Sequence, residues 1–503
     1  MFIKKVLRKA KNLIKRILGI NNERRMAHDI EIIKNSNLFD ENFYLNSYPD
    51  IRSDGIDPAT HYYLYGANEM RNPSARFNTE AYIKLMGKTG VNPLVHCVSY
   101  MKKHPDFLPT ELARTYVDDL LYGFFDRECV PLKTKTASIQ RKHRLNIFFN
   151  GFDKGAFYGG KATALLLATT YCNKYNTDLR IIDYDPDPSV FKEYLEIFDL
   201  KANFDVSFYA TSSNMYLDVD PTDDFLCTMW VNADSVLHTP TITGKIFYIM
   251  QEVETFFYDH GDYSLRTYNT LTDNRIIPIV NSEMLYDYLC NNGYNNVRDH
   301  GYCFEPVFSR KLLSPSKTSF AEKKKHKLFF YGRPSHQRDI FYFGIEVINE
   351  ALKRNIIDPE KWMISIIGDG TVPYFKFDVD VELESNGVMK WDEYCKYLST
   401  IDLCFSMIYT PHPSYPPLDA VSAGAVSLTN RYANKQDFSR YSSNIVAADL
   451  NIESMLDGMK RAVKLAENVE QRRYNYENET HTYGEWTETL SGAAEFMREK
   501  LEI

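Results

Sequence analysis

The sequence predicts an α/β protein in which two consecutive parallel-sheet domains face a cleft, preceded by a small all-helical repeat domain. Two series of apolar strands alternate with helical segments, over residues 144–320 and 321–470, which is typical of parallel sheets covered by helices. Two similar units lie before them, between residues 30 and 135, and such units bury a face by stacking. A chain of 503 residues is also too long for a single core.

The composition is that of an ordinary folded protein, with 44% hydrophobic and 25% charged residues. The net charge of −8 argues against nucleic acid as a partner, because phosphate binding needs a basic surface. The eight cysteines are scattered through apolar stretches without a Cys-x-x-Cys pair, which is typical of buried thiols in a reducing cytosol. We therefore expect a cytoplasmic protein.

Residues 1–25 are predicted to form a basic amphipathic helix. Apolar residues recur at helical spacing from Ile3 to Leu18, and seven Lys or Arg residues lie between them. These charges interrupt the apolar stripe too often for a secretory signal. Because anionic lipid attracts such a helix, we expect it to lie on the inner face of the plasma membrane. The alternative is a terminal helix that packs on its own protein.

The helical domain, predicted at residues 30–135, contains an internal repeat. Each unit is predicted to form two short helices around an Asp-Pro or Asn-Pro turn, with Asp57 or Asn92 capping the second helix. The repeated histidines are interpreted as core residues bonded to backbone, with metal ligation as the alternative. The corresponding residues are Phe39 and Phe77, Tyr44 and Tyr82, Pro58 and Pro93, and His61 and His96.

The loops between strands and helices of the two α/β domains are the candidate sites, because open parallel sheets bind ligands beyond the carboxyl ends of their strands. A charged stretch at 321–327 is predicted to link the two domains, and residues 471–503 are predicted to return to the first domain as a helix. The predicted strands are 145–149, 179–183, 224–230, 245–250 and 276–281 in the first domain, and 328–332, 362–368, 403–408 and 425–430 in the second.

The most informative segment is 406–430, which contains a strand end, a proline-rich loop, a helix beginning near Pro417 and small residues before the next strand. Free N–H groups and the helix dipole favour anions at such a helix start. The segment resembles glycosyltransferase family 4, whose GT-B fold consists of two Rossmann-like domains. The resemblance implies that amides at the helix start hold the diphosphate of a nucleotide-sugar and that Asp419 binds its ribose.

The chain departs from the family pattern at one position in this segment. The family has a glutamate eight residues before the position of Asp419, where this chain has Pro411. In the family that glutamate contacts hydroxyls of the donor sugar. We expect His412 or Ser414 to make this contact instead, and we count Tyr415 among the donor-binding residues.

Three further segments support the resemblance by their order and spacing. Arg333 and Arg338 follow the first strand of the second domain. The resemblance implies that they neutralise the diphosphate and the charge that grows on it as the sugar leaves. Gly368 lies in the glycine-containing turn after the next strand, and the backbone around Val388 and Met389 corresponds to the loop that recognises the base.

The first α/β domain supplies the other side of the predicted site. Gly159 and Gly160 lie in a loop that resembles the one facing the donor phosphates, although no Gly-x-Gly-x-x-Gly dinucleotide motif is present. Glu252 and Glu254 follow a strand and are expected to point at the cleft. The alternative for Glu252 is an acid that satisfies free amides at a helix start. Together these segments resemble a bacterial L-rhamnosyltransferase-like subgroup.

The resemblance implies an enzyme that transfers a sugar, with L-rhamnose from dTDP-L-rhamnose as the first candidate, onto a growing bacterial surface polysaccharide. The acceptor is a glycan, free or lipid-linked, and we expect it to bind the first α/β domain (144–320) while the second (321–470) binds the nucleotide-sugar. Family members retain anomeric configuration and need neither a metal nor another cofactor, whereas an inverting enzyme needs a base such as Glu252 or Glu254. The alternatives are a nucleotide-sugar epimerase of the same fold and a non-catalytic scaffold in a glycan assembly complex.

Removing residues 1–20 is expected to lower membrane association and to leave nucleotide binding intact, because the basic residues and the apolar stripe are lost together. Flotation of the full-length and truncated proteins with vesicles that contain anionic lipid measures the difference. Equal flotation of the two proteins contradicts the membrane-surface prediction.

Overall fold

The computed structural model describes residues 24–501, apart from residues 88, 106, 108, 110–116, 127, 138–141, 153–158, 214, 307–312, 369–370 and 480–483. The predicted helix at residues 1–25 therefore lies outside the described residues, except for its last two. Within these described ranges, no helix is both long enough and apolar enough to cross a membrane. The chain divides into two compact units, Met1–Phe124 and Phe125–Ile503.

The first unit is helical, and its core is rich in aromatic side chains. A π-helical turn, Tyr62–Gly66, follows directly after the fourth helix. The helices are α1 (24–34), α2 (Glu41–Ser47), α3 (Pro49–Asp54), α4 (Pro58–His61), α5 (Thr79–Met86), α6 (Pro93–Lys103) and α7 (Val117–Phe124).

The sequence repeat is also a structural repeat. The predicted caps are confirmed, since the Asp57 carboxylate accepts from Thr60 N at 2.9 Å and Asn92 Oδ1 accepts from Leu94 N at 3.0 Å. The histidines also have a partner that the sequence does not predict, because each ring faces the tyrosine of its own unit. The hydroxyls of Tyr44 and Tyr82 share hydrogen bonds of 2.9 and 2.8 Å with Nδ1 of His61 and His96 respectively.

The second unit begins with a seven-stranded parallel sheet in the order β4-β3-β2-β6-β7-β8-β9. Its strands are β2 (Arg144–Phe148), β3 (Asp178–Asp183), β4 (Val206–Ala210), β6 (Asp224–Cys227), β7 (Ile246–Met250), β8 (Ile276–Asn281) and β9 (Tyr302–Phe304). A separate parallel pair consists of β1 (Thr134–Thr136) and β5 (Leu217–Val219). The helices are α8 (Gly160–Tyr175), α9 (Pro188–Ile197), α10 (Trp230–Leu237), α11 (Asp262–Leu271), α12 (Glu283–Asn291) and α13 (Asn295–His300).

A second parallel sheet of six strands has the order β12-β11-β10-β13-β14-β15. Its strands are β10 (His326–Tyr331), β11 (Trp362–Ile367), β12 (Leu383–Asn386), β13 (Leu403–Ser406), β14 (Val426–Asn430) and β15 (Ile445–Ala448). The helices are α14 (Phe341–Lys353), α15 (Trp391–Leu398), α16 (Tyr415–Ser422), α17 (Ile452–Glu467), α18 (Val469–Asn478) and α19 (Trp486–Leu501).

Both sheets confirm the α/β, Rossmann-like prediction. Each runs outward from its first strand and then reverses, which is the doubly wound strand order. The crevices lie where the order reverses, between β2 and β6 and between β10 and β13. The last helix, α19, packs on the first sheet's α8, where Lys174 Nζ donates to Ser491 Oγ at 2.7 Å.

One predicted strand is too long. The prediction for residues 224–230 is wrong beyond Cys227, because Trp230 already begins α10. Its backbone N–H donates to the Glu254 carboxylate at 3.0 Å, so a side chain from a later loop satisfies the start of this helix.

Residues 125–136 lie with the second unit, whereas the sequence predicts that the helical domain ends near residue 135. The ring of Phe125 packs on Trp230 and Tyr263, with centroid distances of 6.2 and 5.0 Å, and Cys129 is fully buried. A protein that begins at Phe125 therefore keeps the complete core of the second unit, whereas a protein that begins near residue 140 lacks part of it.

A truncated protein that begins at Phe125 is expected to fold and to keep the nucleotide affinity of the full chain. A protein that begins at residue 140 is expected to melt several degrees lower, because it loses a buried aromatic ring and the β1–β5 pair. Thermal unfolding and calorimetry with nucleotide diphosphates measure both effects. Equal melting temperatures would show that residues 125–136 contribute little to the core.

Candidate active site

A cavity of about 690 Å³ lies between the carboxyl edges of the two sheets, a volume typical of small-molecule sites. Side chains from both Rossmann-like domains line it, so neither domain forms the site alone. All of the predicted site residues are among the lining residues: Gly159, Gly160, Glu252, Arg333, Arg338, Gly368, Val388, Met389, His412, Ser414, Tyr415 and Asp419.

Glu252 and Arg338 connect the two domains across the cavity. Glu252 follows β7, and its carboxylate accepts a hydrogen bond from the Thr410 hydroxyl of the second domain. Arg338 Nε lies 3.7 Å from the same carboxylate, and its guanidinium lies 4.3 Å from the centre of the Phe257 ring. Burial raises the pKa of Glu252, and Arg338 and Thr410 oppose that shift. The two charges are therefore held in place before any ligand binds.

Arg333 is also fixed by a carboxylate. Its Nε donates to Asp339 at 2.6 Å, and its guanidinium lies 5.5 Å from the centre of the Tyr331 ring. Asp339 ends a 3₁₀ turn and is almost fully buried. The sequence prediction treats the two arginines as anion binders but does not reveal that each already has an acidic partner.

His412 carries an unsatisfied donor. Its ring Nδ1 accepts from Ser414 N at 3.0 Å, and the backbone N–H of His412 donates to the Thr410 hydroxyl at 3.0 Å. Burial first, and then the charges of Lys435 and Arg338, lower the pKa of His412 to about 3. The ring is therefore neutral with its proton on Nε2, and among the described residues nothing accepts from that atom. Leaving a buried donor unpaired costs about 1–3 kcal/mol, which an oxygen of a ligand would recover.

The start of α16 offers fewer amides than the family resemblance implies. The second and third residues of this helix, Pro416 and Pro417, have no N–H. The N–H of the capping residue Ser414 is already bonded to His412. Of the four amides that a helix start normally presents, two are therefore missing and a third is already bonded within the loop. The side chains of Arg333, Arg338 and His412 are thus the main donors in the cavity.

Tyr415 also connects the two domains at the cavity. Its hydroxyl shares a hydrogen bond of 3.1 Å with Thr163 and accepts another from Asn281. Gly160 packs against Gln251 of its own domain, and a Cβ there would lie 3.0 Å from the Gln251 amide. The neighbouring Gly159 has a left-handed φ of 52° as it caps α8.

Gly368 is required by the packing of two loops. A Cβ at this position would lie 1.9 Å from the Gly332 carbonyl oxygen, which belongs to the loop after β10. Gly368 can therefore lie this close to Gly332 only because it has no side chain. Val388 is 63% exposed and Met389 half-buried, so their backbone lies at the outer end of the cavity.

Asp419 lies on α16 and is buried. The Tyr394 hydroxyl donates to its carboxyl group at 3.4 Å. Burial raises the pKa of Asp419 to about 8, and the hydrogen bond from Tyr394 opposes that rise only partly. The group is therefore largely protonated at neutral pH in the empty protein.

Glu254 differs from Glu252 in that its carboxylate is used within its own domain. It accepts from Trp230 N and from the Tyr248 hydroxyl, and burial raises its pKa to about 7. Of the two acids predicted as a possible base, Glu252 is the one that contacts the second domain. Across the described part of the chain, no three His, Cys, Asp or Glu side chains lie together as metal ligands would.

Sequence reasoning missed Thr410, Asp339 and Lys435. Lys435 is fully buried, its Nζ donates to the Ile408 carbonyl at 3.2 Å, and burial lowers its pKa to about 7. Lys435 lies in a loop after a strand, where lysines are normally exposed to solvent. Its position in the sequence therefore does not indicate that it is buried. Asp339 and Thr410 likewise look like ordinary loop residues until the fold places an arginine or a glutamate beside them.

Comparison with solved structures identifies the fold. Sucrose-phosphate synthase of Thermosynechococcus elongatus superimposes with a TM-score of 0.51 at 11% identity, covering 72% of this chain and 100% of that one. HepE of Anabaena, in complex with UDP-glucose, gives a TM-score of 0.50 at 10% identity and covers 71% of this chain and 100% of its own. With two Rossmann-like sheets that face one cavity, the second unit has the GT-B glycosyltransferase fold.

The sequence itself matches a more specific group. Residues 144–283 match the N-terminal domain of WsaF, and residues 326–460 match its C-terminal domain. The chain therefore contains both WsaF domains, which together span just over half of it. A stretch of 252 residues is 25% identical to the O-antigen biosynthesis protein RfbC of Myxococcus xanthus, covering 47% of this chain but 18% of that protein.

The free energy of unfolding is expected to depend on pH through Asp419. The pKa of about 8 lies above the value of about 3.9 in an unfolded chain. The native state therefore holds the extra proton, and stability falls as pH rises towards and through 8. Replacing Asp419 with Asn is expected to remove this slope, on the order of 1 kcal/mol per pH unit, in urea titrations between pH 6 and 9. Parallel pH profiles of the two proteins would contradict the assignment.

Proposed function

We propose that this protein transfers a sugar from a nucleotide diphosphate onto a glycan acceptor during assembly of a bacterial surface polysaccharide. The observation that carries the proposal is the convergence of Arg333, Arg338 and the unsatisfied Nε2–H of His412 in one cavity of a GT-B fold. The WsaF domains and the partial match to an O-antigen biosynthesis protein support the same process.

The two arginines stabilise the leaving diphosphate. Negative charge on the β-phosphate grows as the bond to the sugar breaks, so donors fixed beforehand act most strongly on the transition state. Asp339 holds Arg333 in position. A phosphate that binds Arg338 competes with Glu252 for the guanidinium. The Glu252 carboxylate is then freed on the side of the first domain, where we place the acceptor.

The transfer either retains or inverts the configuration of the anomeric carbon of the sugar. Retention without a metal follows from the resemblance to glycosyltransferase family 4 and needs no protein base. In an inverting reaction Glu252 is the better base, because it faces the second domain, while both oxygens of Glu254 already accept hydrogen bonds within their own domain.

The donor is held along its length by residues of the second domain. Asp419 binds the ribose, the backbone of Val388 and Met389 contacts the base, and His412 with Ser414 contacts the sugar. His412 Nε2 donates a hydrogen bond, whereas the glutamate of the family accepts one. The proposed site therefore recognises a different arrangement of sugar hydroxyls from the one that the family recognises. We take dTDP-L-rhamnose as the first donor to test.

The remaining segments have roles outside the reaction itself. Residues 1–25 bind an anionic membrane surface on the cytoplasmic side, where a lipid-linked acceptor is available. The helical repeat is a separate module outside the chemistry. Both assignments rest on the amphipathic pattern and on the division of the chain before Phe125.

Calorimetry with dTDP, UDP and GDP, followed by product analysis with nucleotide-sugars, tests the function. A nucleotide-sugar that is consumed only when a glycan acceptor is present supports transfer. Conversion of the sugar without an acceptor identifies an epimerase. Absence of any nucleotide binding identifies a scaffold, an alternative that Pro411 and the amide-poor start of α16 favour.

Arg333→Ala and Arg338→Ala are each expected to lower turnover about 100-fold, because each removes a donor that stabilises the leaving group. Asp419→Ala is expected to weaken nucleotide binding instead, since a ribose contact changes little during the reaction. Steady-state kinetics and calorimetry separate the two effects.

The controls address stability and charge. Arg333→Ala leaves Asp339 buried without its partner, which is itself destabilising; adding Asp339→Asn is expected to restore the melting temperature but not turnover. Arg354→Ala removes a guanidinium paired with Glu453 on the surface and is expected to leave turnover unchanged. Turnover within threefold of wild type in both arginine variants would place the donor site elsewhere.

A further inference from the structure

We propose that Lys435 and Asn430 are positioning residues for His412, the residue that we place at the sugar of the donor. Both side chains donate to the carbonyl oxygen of Ile408, and we call this pair the loop anchor. The inference rests on the proposed transferase function and adds the residues that direct the Nε2–H of His412.

The loop anchor fixes the residue from which the loop to His412 begins. Lys435 Nζ and Asn430 Nδ2 lie 3.2 and 3.0 Å from Ile408 O. Asn430 Oδ1 accepts from Ile408 N at 2.8 Å, and Thr410 N donates to Ile408 O at 2.9 Å. Asn430 and Lys435 are both fully buried. The N–H and the carbonyl of Ile408 are therefore held from several directions, away from solvent.

The burial of Lys435 has a cost that its contacts do not offset. A lysine ammonium in the protein interior is costly unless a carboxylate pairs with it. Among the residues that the structure describes, no carboxylate lies within ion-pair distance of Lys435 Nζ, and the charge of Glu252 opposes only part of the burial that lowers the pKa of Lys435 to about 7. Its hydrogen bond goes to Ile408, which lines the cavity. A lysine kept at this cost beside a cavity indicates a role in the site.

Hydrogen bonds lead from the anchored residue to the imidazole of His412. Thr410 follows Ile408 by two residues, and its hydroxyl donates to Glu252. The same hydroxyl accepts from the backbone N–H of His412 at 3.0 Å, and Ser414 N donates to the ring Nδ1 at 3.0 Å. The loop thus holds both the backbone of His412 and one edge of its ring. The Nε2–H is left as the donor that this residue offers to a ligand in the cavity.

The bond between Ser414 and His412 depends on the loop and on the charge of Lys435. Ser414 has a φ of 71°, a left-handed value that costs energy for a residue with a side chain. Burial first, and then the charge of Lys435, lower the pKa of His412 to about 3. A neutral ring keeps Nδ1 able to accept from Ser414 N, whereas a protonated ring would repel it. Lys435 therefore supports His412 both through the backbone and through its charge.

The loop anchor is itself fastened to the first Rossmann-like domain. Lys435 ends a tight turn in which its N–H donates to the Tyr432 carbonyl at 2.8 Å. In this turn Asn434 Nδ2 donates to the Met284 carbonyl at 2.7 Å, and the Tyr432 ring lies 6.3 Å from the Phe256 ring. Met284 and Phe256 belong to the first domain. Lys435 therefore cannot move away from the loop without disturbing contacts between the two domains.

The test compares, by calorimetry on the full chain, dTDP-L-rhamnose with dTDP, UDP-glucose with UDP and GDP-mannose with GDP. The ratio of the two dissociation constants in a pair isolates the sugar, because contacts to the base and the diphosphate are common to both ligands. Lys435→Met is expected to shift this ratio about tenfold against the nucleotide-sugar, since the hydrogen bond to the sugar is misaligned. It is expected to fold, because an apolar side chain of similar length replaces a buried charge. Asn430→Ser is expected to shift the ratio in the same direction.

A double-variant cycle distinguishes positioning from a general structural effect. His412→Phe removes the sugar contact, so the addition of Lys435→Met is expected to cause no further shift. Lys323→Met is the matched control, because Lys323 Nζ also donates to a carbonyl, that of Thr400, at 3.2 Å. Thr400 precedes β13, at the edge of the second sheet opposite the cavity. This variant is expected to leave the ratio unchanged.

The outcomes separate this inference from the proposed function. A ratio that stays within about threefold of wild type in Lys435→Met or in His412→Phe overturns the inference alone, provided that nucleotide binding is retained. Additive shifts in the double variant, or an equal shift in Lys323→Met, also overturn it. A wild type that binds none of dTDP, UDP and GDP overturns the proposed function, and the inference with it.

Discussion

The organisation of the cleft depends on the buried contact between Glu252 of the first domain and Arg338 and Thr410 of the second. A carboxylate or a guanidinium alone in this position would be costly, because the interior solvates charge poorly. Pairing them across the cleft removes that cost only while the two domains stay close. An anionic ligand that binds Arg338 replaces Glu252 as the partner of the guanidinium. Ligand binding and the spacing of the domains are therefore physically coupled.

Charges inside the cavity are largely balanced before a ligand enters. Arg333 is paired with Asp339 and Arg338 with Glu252, while burial keeps Asp419 protonated and His412 neutral. What is left over is hydrogen-bonding capacity, above all the Nε2–H of His412. The cavity is therefore suited to a ligand that offers several oxygen acceptors.

The helix start in the second domain shows how a common fold changes its means of holding an anion. Pro416 and Pro417 remove two of the amides that such a start offers, and His412 occupies a third by accepting from Ser414. In the proposed donor site, side chains take the place that backbone amides have in the family that the sequence resembles. Because a fold does not determine a function, the proposed choice of donor rests on this local chemistry and not on the GT-B architecture.

The sequence by itself determined both parallel sheets, since alternating apolar runs and helices have few other packings, and it placed the site residues at one edge, because parallel strands end together. It also determined the caps Asp57 and Asn92, whose partners lie two or three residues away. Short strands such as β4 and β9 carry too weak a pattern to be recognised. Only the tertiary structure decided the partners of Glu252 and Tyr415 and the burial of Lys435. Those contacts join residues far apart in the chain, and no local spacing records them.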